Sequence, residues 1–373
     1  MGALDGIRII EFAGIGPGPF CGMLLADMGA EVILIERAGA QDMLSLGKNA
    51  IVNRGKRSLV LDLKDPRAIA AALQLISQAD GLIEGMRPGV MERLGLGPDV
   101  CLQLNPQLVY GRMTGWGQDG PLAQSAGHDI NYIALSGALW FSGAAGTEPV
   151  APPTLVGDLG GGALYLALGM LAGILNARSS GAGQVVDAAI VDGSANLMNL
   201  LLSVHAAGMQ PFERGTGMLD GPHWYGSYLC ADGLTISIGA LEPQFNALLF
   251  TKLGLAADED FKKPYDAKNW ARLKTRLSEI FRQQTQSHWI ALLEGTDACF
   301  APVLTPEQAM SHPHMAARQI YSRQNGVLQA APAPRFSATP SRSVADVPGR
   351  GEHSVEILRG LGLGEDEINA LIG

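Results

Sequence analysis

Apolar residues in this chain come in short unbroken runs separated by glycines and charged positions. Ile7–Phe12, Glu31–Glu36, Ser58–Leu63, Gly81–Glu84, Leu108–Met113 and Gln184–Ala188 each read as a buried strand, being too short for a core helix. Between them the spacing turns helical. An apolar stretch follows Pro17 to about Met28, and Ile69, Leu73 and Ile76 follow Pro66, a residue tolerated in a first turn. A short helix carries Met91, Arg93 and Leu94. Strand, turn, helix and strand in alternation predict parallel strands joined by crossovers. The expected class is α/β: a Rossmann-like, doubly wound large domain with a parallel sheet, plus a smaller α+β domain. Two further helices are expected to open near His128 and Asp158, and Asp192 is a plausible cap for a third running towards Gly208.

Downstream the pattern changes. Trp224–Ile238 reads as a hairpin around Asp232-Gly233, Glu242-Pro243 opens a helix through Leu253, and further helices fall near 268–283 and 285–295. The expected division is a large domain over 1–208, completed by 326–373, and a Gly- and Pro-rich linker at 209–223. A small domain at 224–315 and a return linker and C-terminal arm over 316–373 follow. The arm ends in a helix at about 366–371.

With 373 residues, 47% of them hydrophobic and 17% charged, the chain can bury a sizeable core. A formal charge of −9 argues against nucleic acid or anionic membrane as a general partner. The run Leu159–Asn176 is uncharged and nearly long enough to span a bilayer. Its glycine-rich start and Asp158 just before it favour a helix buried in protein. Cys21, Cys101, Cys230 and Cys299 show no C-x-x-C spacing and read as reduced thiols of a cytoplasmic protein. The N-terminus lacks an apolar secretory segment.

The candidate chemistry lies in two stretches, Ala126–Tyr132 and Val156–Gly162. Each sets an ionisable side chain beside a glycine at the opening of an apolar run. A helix start offers free N–H groups and a positive dipole end, which suits negative charge developing on a substrate oxygen. His128 is the one residue type that titrates near neutrality unaided; it reads equally as a polar helix-start residue. Asp129 is a cap or a partner to a base. Asp158 is an N-cap, or a reactive carboxylate. Three glycines follow it and lower helix propensity by about 1 kcal/mol each, so backbone there must approach a ligand or another helix. Glu242 is a first-turn acid favoured by the dipole or a site residue. Arg37, Arg87 and Arg93 follow predicted strand ends, where they are solvated surface or phosphate clamps. The turn at 14–19 spaces its glycines G-x-G-x-G, unlike the dinucleotide fingerprint. His312-Pro-His314 has no third ligand nearby, so no metal is expected.

These stretches resemble the family III CoA-transferases, the CaiB/BaiF group. The resemblance rests on GIGPGP at 14–19, Glu36-Arg37, Asp62-Leu-Lys64, Glu84-Gly-Met-Arg-Pro-Gly89 with Glu92-Arg-Leu-Gly95, and Met113-Thr-Gly-Trp-Gly-Gln118. Gly127-His-Asp-Ile-Asn-Tyr132, Gly157-Asp158, Gln184–Asp187, Asp192-Gly193 and Gly239–Gln244 complete it, with GHDINY the most specific part. It implies an interlocked homodimer with active sites shared between one chain's large domain and its partner's small domain. In the family's transferases the aspartate matching Asp158 is a nucleophile. In its racemases that residue is a general acid/base paired with the histidine matching His128. The resemblance also implies roles for Glu242, contributed by the partner and bonding the histidine, and for Asp129. CoA contacts are implied at Arg37, Leu61, Asp62, Leu63, Lys64, Gly85, Met86, Arg87, Arg93, Gly127, Ile130, Asn131 and Tyr132. At Met86 the family residue is often aromatic.

The expected function is therefore interconversion of (R)- and (S)-2-methylacyl-CoA by 1,1-proton transfer, without a metal or redox cofactor, CoA being part of the substrate. The backbone N–H of Asp158 is the expected oxyanion donor. A CoA-transferase using Asp158 as nucleophile and a non-catalytic acyl-CoA-binding protein are the alternatives. Met218, Leu219 and the region around Met198 suggest a permissive acyl surface.

Overall fold

The computed structural model describes residues 1–37, 46–341 and 345–372. Six strands form one wholly parallel sheet: β1 (Arg8–Phe12), β2 (Glu31–Arg37), β3 (Arg57–Leu61), β4 (Gly81–Glu84), β5 (Val109–Thr114) and β6 (Gln184–Ala189), in the order β3-β2-β1-β4-β5-β6. Ile10 sits opposite Ile33 on one side and Leu82 on the other. Strands buried on both faces must be apolar throughout, which is why they read as unbroken runs. The strand order reverses between β1 and β4, where a crevice opens at the carboxyl ends.

Seven helices follow these strands: α1 (Pro17–Asp27), α2 (Pro66–Ile76), α3 (Val90–Arg93), α4 (Pro98–Leu104), α5 (Asp129–Ser136), α6 (Leu164–Ser180) and α7 (Ile190–Leu197). Pro17, Pro66 and Pro98 open α1, α2 and α4, and the Asp65 carboxylate accepts the Arg67 N–H to cap α2. Both sheet faces are covered. One core layer packs Leu59, Leu82 and Tyr110 with Leu75 and Ile76 of α2; the other packs Ile9 and Val32 with Leu25 of α1 and Leu166 and Met170 of α6. A segment before α6, Leu155–Ala163, is π-helical. Joined to α6 it makes one apolar helix of 26 residues.

Contacts divide the chain into two units. The first comprises 1–139, 151–198 and 319–373; the second comprises 140–150 and 199–318. The helix expected to run unbroken to Gly208 is split: α7 ends at Leu197, and α8 (Asn199–Ala206) belongs to the second unit. Nor does Asp192 cap α7. The helix starts at Ile190 with Ala189 as its N-cap, because β6 runs straight into it and leaves no turn for a capping side chain.

The second unit holds an antiparallel sheet of β7 (Tyr225–Leu229), β8 (Thr235–Gly239) and β9 (Phe300–Val303). Around it lie α9 (Pro243–Lys252), α10 (Trp270–Phe281), α11 (Gln286–Leu293), α12 (Pro306–Ser311) and α13 (Pro313–Ala317). Its core gathers Trp224, Leu249, Leu277, Phe281 and Leu293. His223 is wholly buried there, stacked on Phe250 and edge-on to Phe261, and neither ring nitrogen has a partner among the described residues. Burial, and secondarily the charge of Lys274, lowers its pKa to about 4. A histidine whose folded pKa is depressed stabilises the fold fully above its unfolded value and loses that contribution as pH falls towards the folded one. The second unit is therefore expected to lose about 3 kcal/mol between pH 6.5 and 4, at 1.36 kcal/mol per pH unit. His223→Phe should flatten that dependence in urea titrations across this window; an unchanged slope would reject the assignment.

The C-terminal segment, expected as an arm ending in a helix at about 366–371, returns to the first unit with that helix in place and more structure before it. It forms a hairpin, β10 (Tyr321–Gln324) with β11 (Val327–Ala330), and helices α14 (Ser354–Gly360) and α15 (Glu365–Ile372). Leu358 and Ile368 complete the core layer on the α2 side of the sheet.

Candidate functional site

At the carboxyl ends of β1, β4 and β5 the first unit encloses a pocket of about 550 Å³, bordered by the 14–19 turn, Gly85–Pro88, Met113–Trp116 and Ala126–His128. His128 and Asp158 both line it.

His128 stands as the N-cap of α5 in extended backbone, φ −136° and ψ 172°. Its N–H donates to Oδ1 of Asn131 at 3.1 Å. The Tyr132 hydroxyl donates to the Gly127 carbonyl, and the Tyr132 ring packs edge-on to Trp116 at 4.7 Å. That ring fills the space a Cβ at Gly115 would need, 2.0 Å from it. Asn131 and Tyr132 thus fix the backbone that carries the imidazole. Ile130 points outward, 57% exposed.

Asp158 does not open a helix. It is the fourth residue of the π-helical segment, whose N-cap is Thr154, and the Leu159 N–H reaches back to the Thr154 carbonyl at 3.0 Å, closing the wide turn. π-helical turns inside helices are frequent at functional sites. The glycines after Asp158 answer to another helix. A Cβ at Gly193 would fall 1.8 Å from the Gly161 carbonyl, and one at Gly161 would meet Ser194 at 2.4 Å, so α7 lies against bare backbone.

The Asp158 N–H, expected to receive an oxyanion, donates instead to Oδ1 of Asp129 at 2.8 Å. First-turn N–H groups have no helical acceptor, and here a neighbouring carboxylate takes the vacancy. A Cβ at Gly157 would sit 2.4 Å from that same oxygen, so glycine admits the contact. Burial, and then the charge of Asp129, push the Asp158 carboxyl up to about 6, against the opposing pull of His128. A carboxyl so tuned exchanges protons near neutrality.

The pocket brings together Gly85, Met86, Arg87, Gly127, His128, Tyr132 and Asp158. Other expected residues lie elsewhere. Arg37 is exposed at the end of β2, and Arg93 is exposed at the end of α3. Leu61 is wholly buried in the core, so only its backbone can meet a ligand. Asp62 accepts the Lys64 N–H at 3.1 Å in the turn that carries Leu63. Glu242 belongs to the second unit, exposed at the N-cap of α9. His312 bonds Glu294 at 2.7 Å.

The sequence reading missed Glu84 and Gly16. Wholly buried, Glu84 accepts the Arg112 guanidinium at 3.0 Å and the Met86 N–H at 2.7 Å, shaping the turn at 85–87. A glutamate closing a buried apolar strand was the available signal. Gly16 has φ 69°, and a Cβ there would stand 3.2 Å from Oδ2 of Asp158.

The sequence pattern of CoA-transferase family III matches residues 4–354. The chain belongs to CoA-transferase family III. Within it, the chain is 42% identical to "Alpha-methylacyl-CoA racemase" of Mus musculus over 368 residues, 98% of this chain and 95% of the relative. The Homo sapiens protein of that name is 41% identical over 373 residues, 99% and 96% of the two chains. Among solved structures, a CaiB/BaiF family protein from Brucella suis superposes with a TM-score of 0.84 at 26% identity, covering 96% of this chain and 99% of that one.

Proposed function

We propose that this family III protein is a racemase that interconverts (R)- and (S)-2-methylacyl-CoA thioesters by 1,1-proton transfer. The observation that carries the reading is that His128 and Asp158 line one pocket, with burial and Asp129 pushing the Asp158 carboxyl up to about 6. One group takes the α-proton, and the electron pair moves onto the thioester oxygen. The other group returns a proton to the opposite face of Cα as the carbonyl re-forms. Only a proton moves, so no electron carrier is consumed, and CoA enters and leaves as part of the substrate.

The enolate oxygen needs a donor. With the Asp158 N–H engaged by Asp129, the first-turn N–H groups of α5 at Asp129 and Ile130 are the donors next to His128. A single such donor is worth about 10²–10³ in rate. Arg87, with Arg37 at the end of β2, Lys64 in the turn after β3 and Arg93 at the end of α3, is suited to the phosphates of CoA.

Dimerisation is part of the proposal. Leu164, Leu168 and Leu175 leave a stripe of α6 exposed at 52, 65 and 72%. Apolar surface on this scale marks a protein contact. We assign it to a second, interlocked copy, whose Glu242 would bond His128. The same stripe is what makes the helix resemble a membrane span, and we read the protein as cytoplasmic and not inserted in a membrane. Its four free cysteines fit a reducing setting.

The family also supports a second reading, in which Asp158 attacks the thioester as a CoA-transferase nucleophile. Incubation of one pure (R)-2-methylacyl-CoA in D₂O separates the possibilities. Inversion with one deuterium at Cα supports the racemase. A hydroxylamine-trapped adduct on Asp158 and CoA transfer to an added free acid support the transferase. Tight binding without either would mark a non-catalytic acyl-CoA-binding protein.

A further inference from the structure

Behind the 14–19 turn lies a buried ion pair that the reaction as written does not use. The side chains of Lys56 and Glu11 are both wholly buried, with Nζ 2.8 Å from Oε1. The Lys56 ammonium also donates to the Pro19 carbonyl at 3.0 Å and to Oδ1 of Asn53 at 3.1 Å. Three acceptors use its three protons. Burial raises the Glu11 pKa and lowers that of Lys56, against the attraction each exerts on the other. Two fitted apolar side chains would join these elements at least as well, since such pairs seldom repay their desolvation. The pair does what apolar side chains cannot: it points at one carbonyl.

That carbonyl belongs to the first turn of α1, whose start, with the Gly14–Gly16 turn before it, borders the site. Gly16, Pro17, Gly18 and Pro19 all line the pocket of His128 and Asp158, and Gly16 lies against the Asp158 carboxylate. The local sequence is shaped around the pair. A Cβ at Gly22 would fall 1.8 Å from Oε2 of Glu11, so only glycine in α1 leaves room for the carboxylate beneath it.

We propose that Lys56, oriented by Glu11 and Asn53, is a positioning residue for the reaction: through the Pro19 carbonyl it fixes the start of α1, which sets the Gly14–Gly16 turn before it against Asp158 and closes one side of that carboxylate. The inference rests on the racemase reading for its kinetic consequence, although the placement of the turn does not. Asp158 is faced by His128, Asp129 and Tyr132 as well as by this turn, and those groups are left untouched by the test.

The test compares wild type with the double variant Lys56→Met/Glu11→Leu, which removes both charges together, and with Asn53→Ala, which removes one of the three acceptors. The double variant is expected to fold and bind acyl-CoA, with kcat for α-exchange down roughly 10- to 100-fold, the scale of a misplaced catalytic group. The acid limb of kcat/KM should move from about pH 6 towards the ordinary carboxylate range as water reaches Asp158. Asn53→Ala should shift in the same direction by less. A merely structural pair would alter thermal stability and leave that limb in place. A folded double variant with wild-type kcat and limb overturns the proposal; if the double variant does not fold, a wild-type limb in Asn53→Ala does so. A wild type that exchanges no α-proton overturns the racemase reading instead. The placement claim then rests on amide hydrogen exchange over 14–22, which must quicken in the variants if the claim is right and stay at the wild-type rate if it is wrong.

Discussion

Replacing Asp158 with asparagine is expected to abolish racemisation while leaving exchange from one enantiomer. The substitution keeps the shape of the side chain and removes its ability to take or return a proton. Proton handling by one positioned group contributes about 10²–10⁴ in rate, so inversion should fall by that factor. His128 remains able to remove the α-proton from the enantiomer it faces, and that substrate should exchange its proton with D₂O and return without inverting. His128→Ala should show the mirror pattern, with exchange surviving only from the other enantiomer. The pH profile carries the same signature. In the direction where Asp158 acts as base it must be ionised, so kcat/KM should fall as pH drops through about 6, the value to which burial and Asp129 raise it. Label and stereochemistry measured together check each part. Inversion at the wild-type rate in Asp158→Asn would remove the carboxylate from the mechanism, and exchange of both enantiomers in both variants would remove the two-base scheme.

The largest stability effect is expected at Arg54. Its guanidinium grips Asp27 through Nε at 3.0 Å and Nη2 at 2.6 Å, with both residues under 5% exposed. Nη1 reaches the Ala330 carbonyl at 2.8 Å and Oε1 of Gln329 at 3.2 Å, so one side chain ties α1 to the returning C-terminal hairpin. Arg54→Ala strands a buried carboxylate and leaves that carbonyl unbonded. Breaking a buried pair from one side costs about 3–5 kcal/mol. Arg54→Met/Asp27→Leu should recover most of this, because the cost comes from the uncompensated charge more than from the lost attraction. Urea unfolding of the three proteins measures it. A loss under 1 kcal/mol in Arg54→Ala would mean that water reaches Asp27 and the pair is not sealed.

Much of the architecture was legible in the one-dimensional pattern. A parallel sheet buries both faces, so β1 to β6 had to be apolar without alternation, and their runs were visible. The hairpin of β7 and β8 announced itself through Asp232-Gly233, a dipeptide suited to a tight turn. The second helical segment was read in outline only. The apolar run and its glycines were plain, but local propensity does not distinguish an α-helix capped by Asp158 from a π turn containing it. The β10–β11 hairpin did carry a signal, the tight-turn dipeptide Asn325-Gly326, but its strands of four residues each, like the seven residues of α14, are too short to show a period.

Residue chemistry, then, was decided by the sequence: which side chains can carry protons, which runs must be buried, and that His128 and Asp158 each sit beside a glycine. Tertiary structure decided which atoms are available. Asp129, 29 positions upstream, accepts the Asp158 N–H; α7 claims the bare backbone of the glycines; and Gly16 brings the turn before α1 onto the Asp158 carboxylate. Hydrogen-bond partners and close backbone approaches are contacts between segments distant along the chain, and no local preference encodes them.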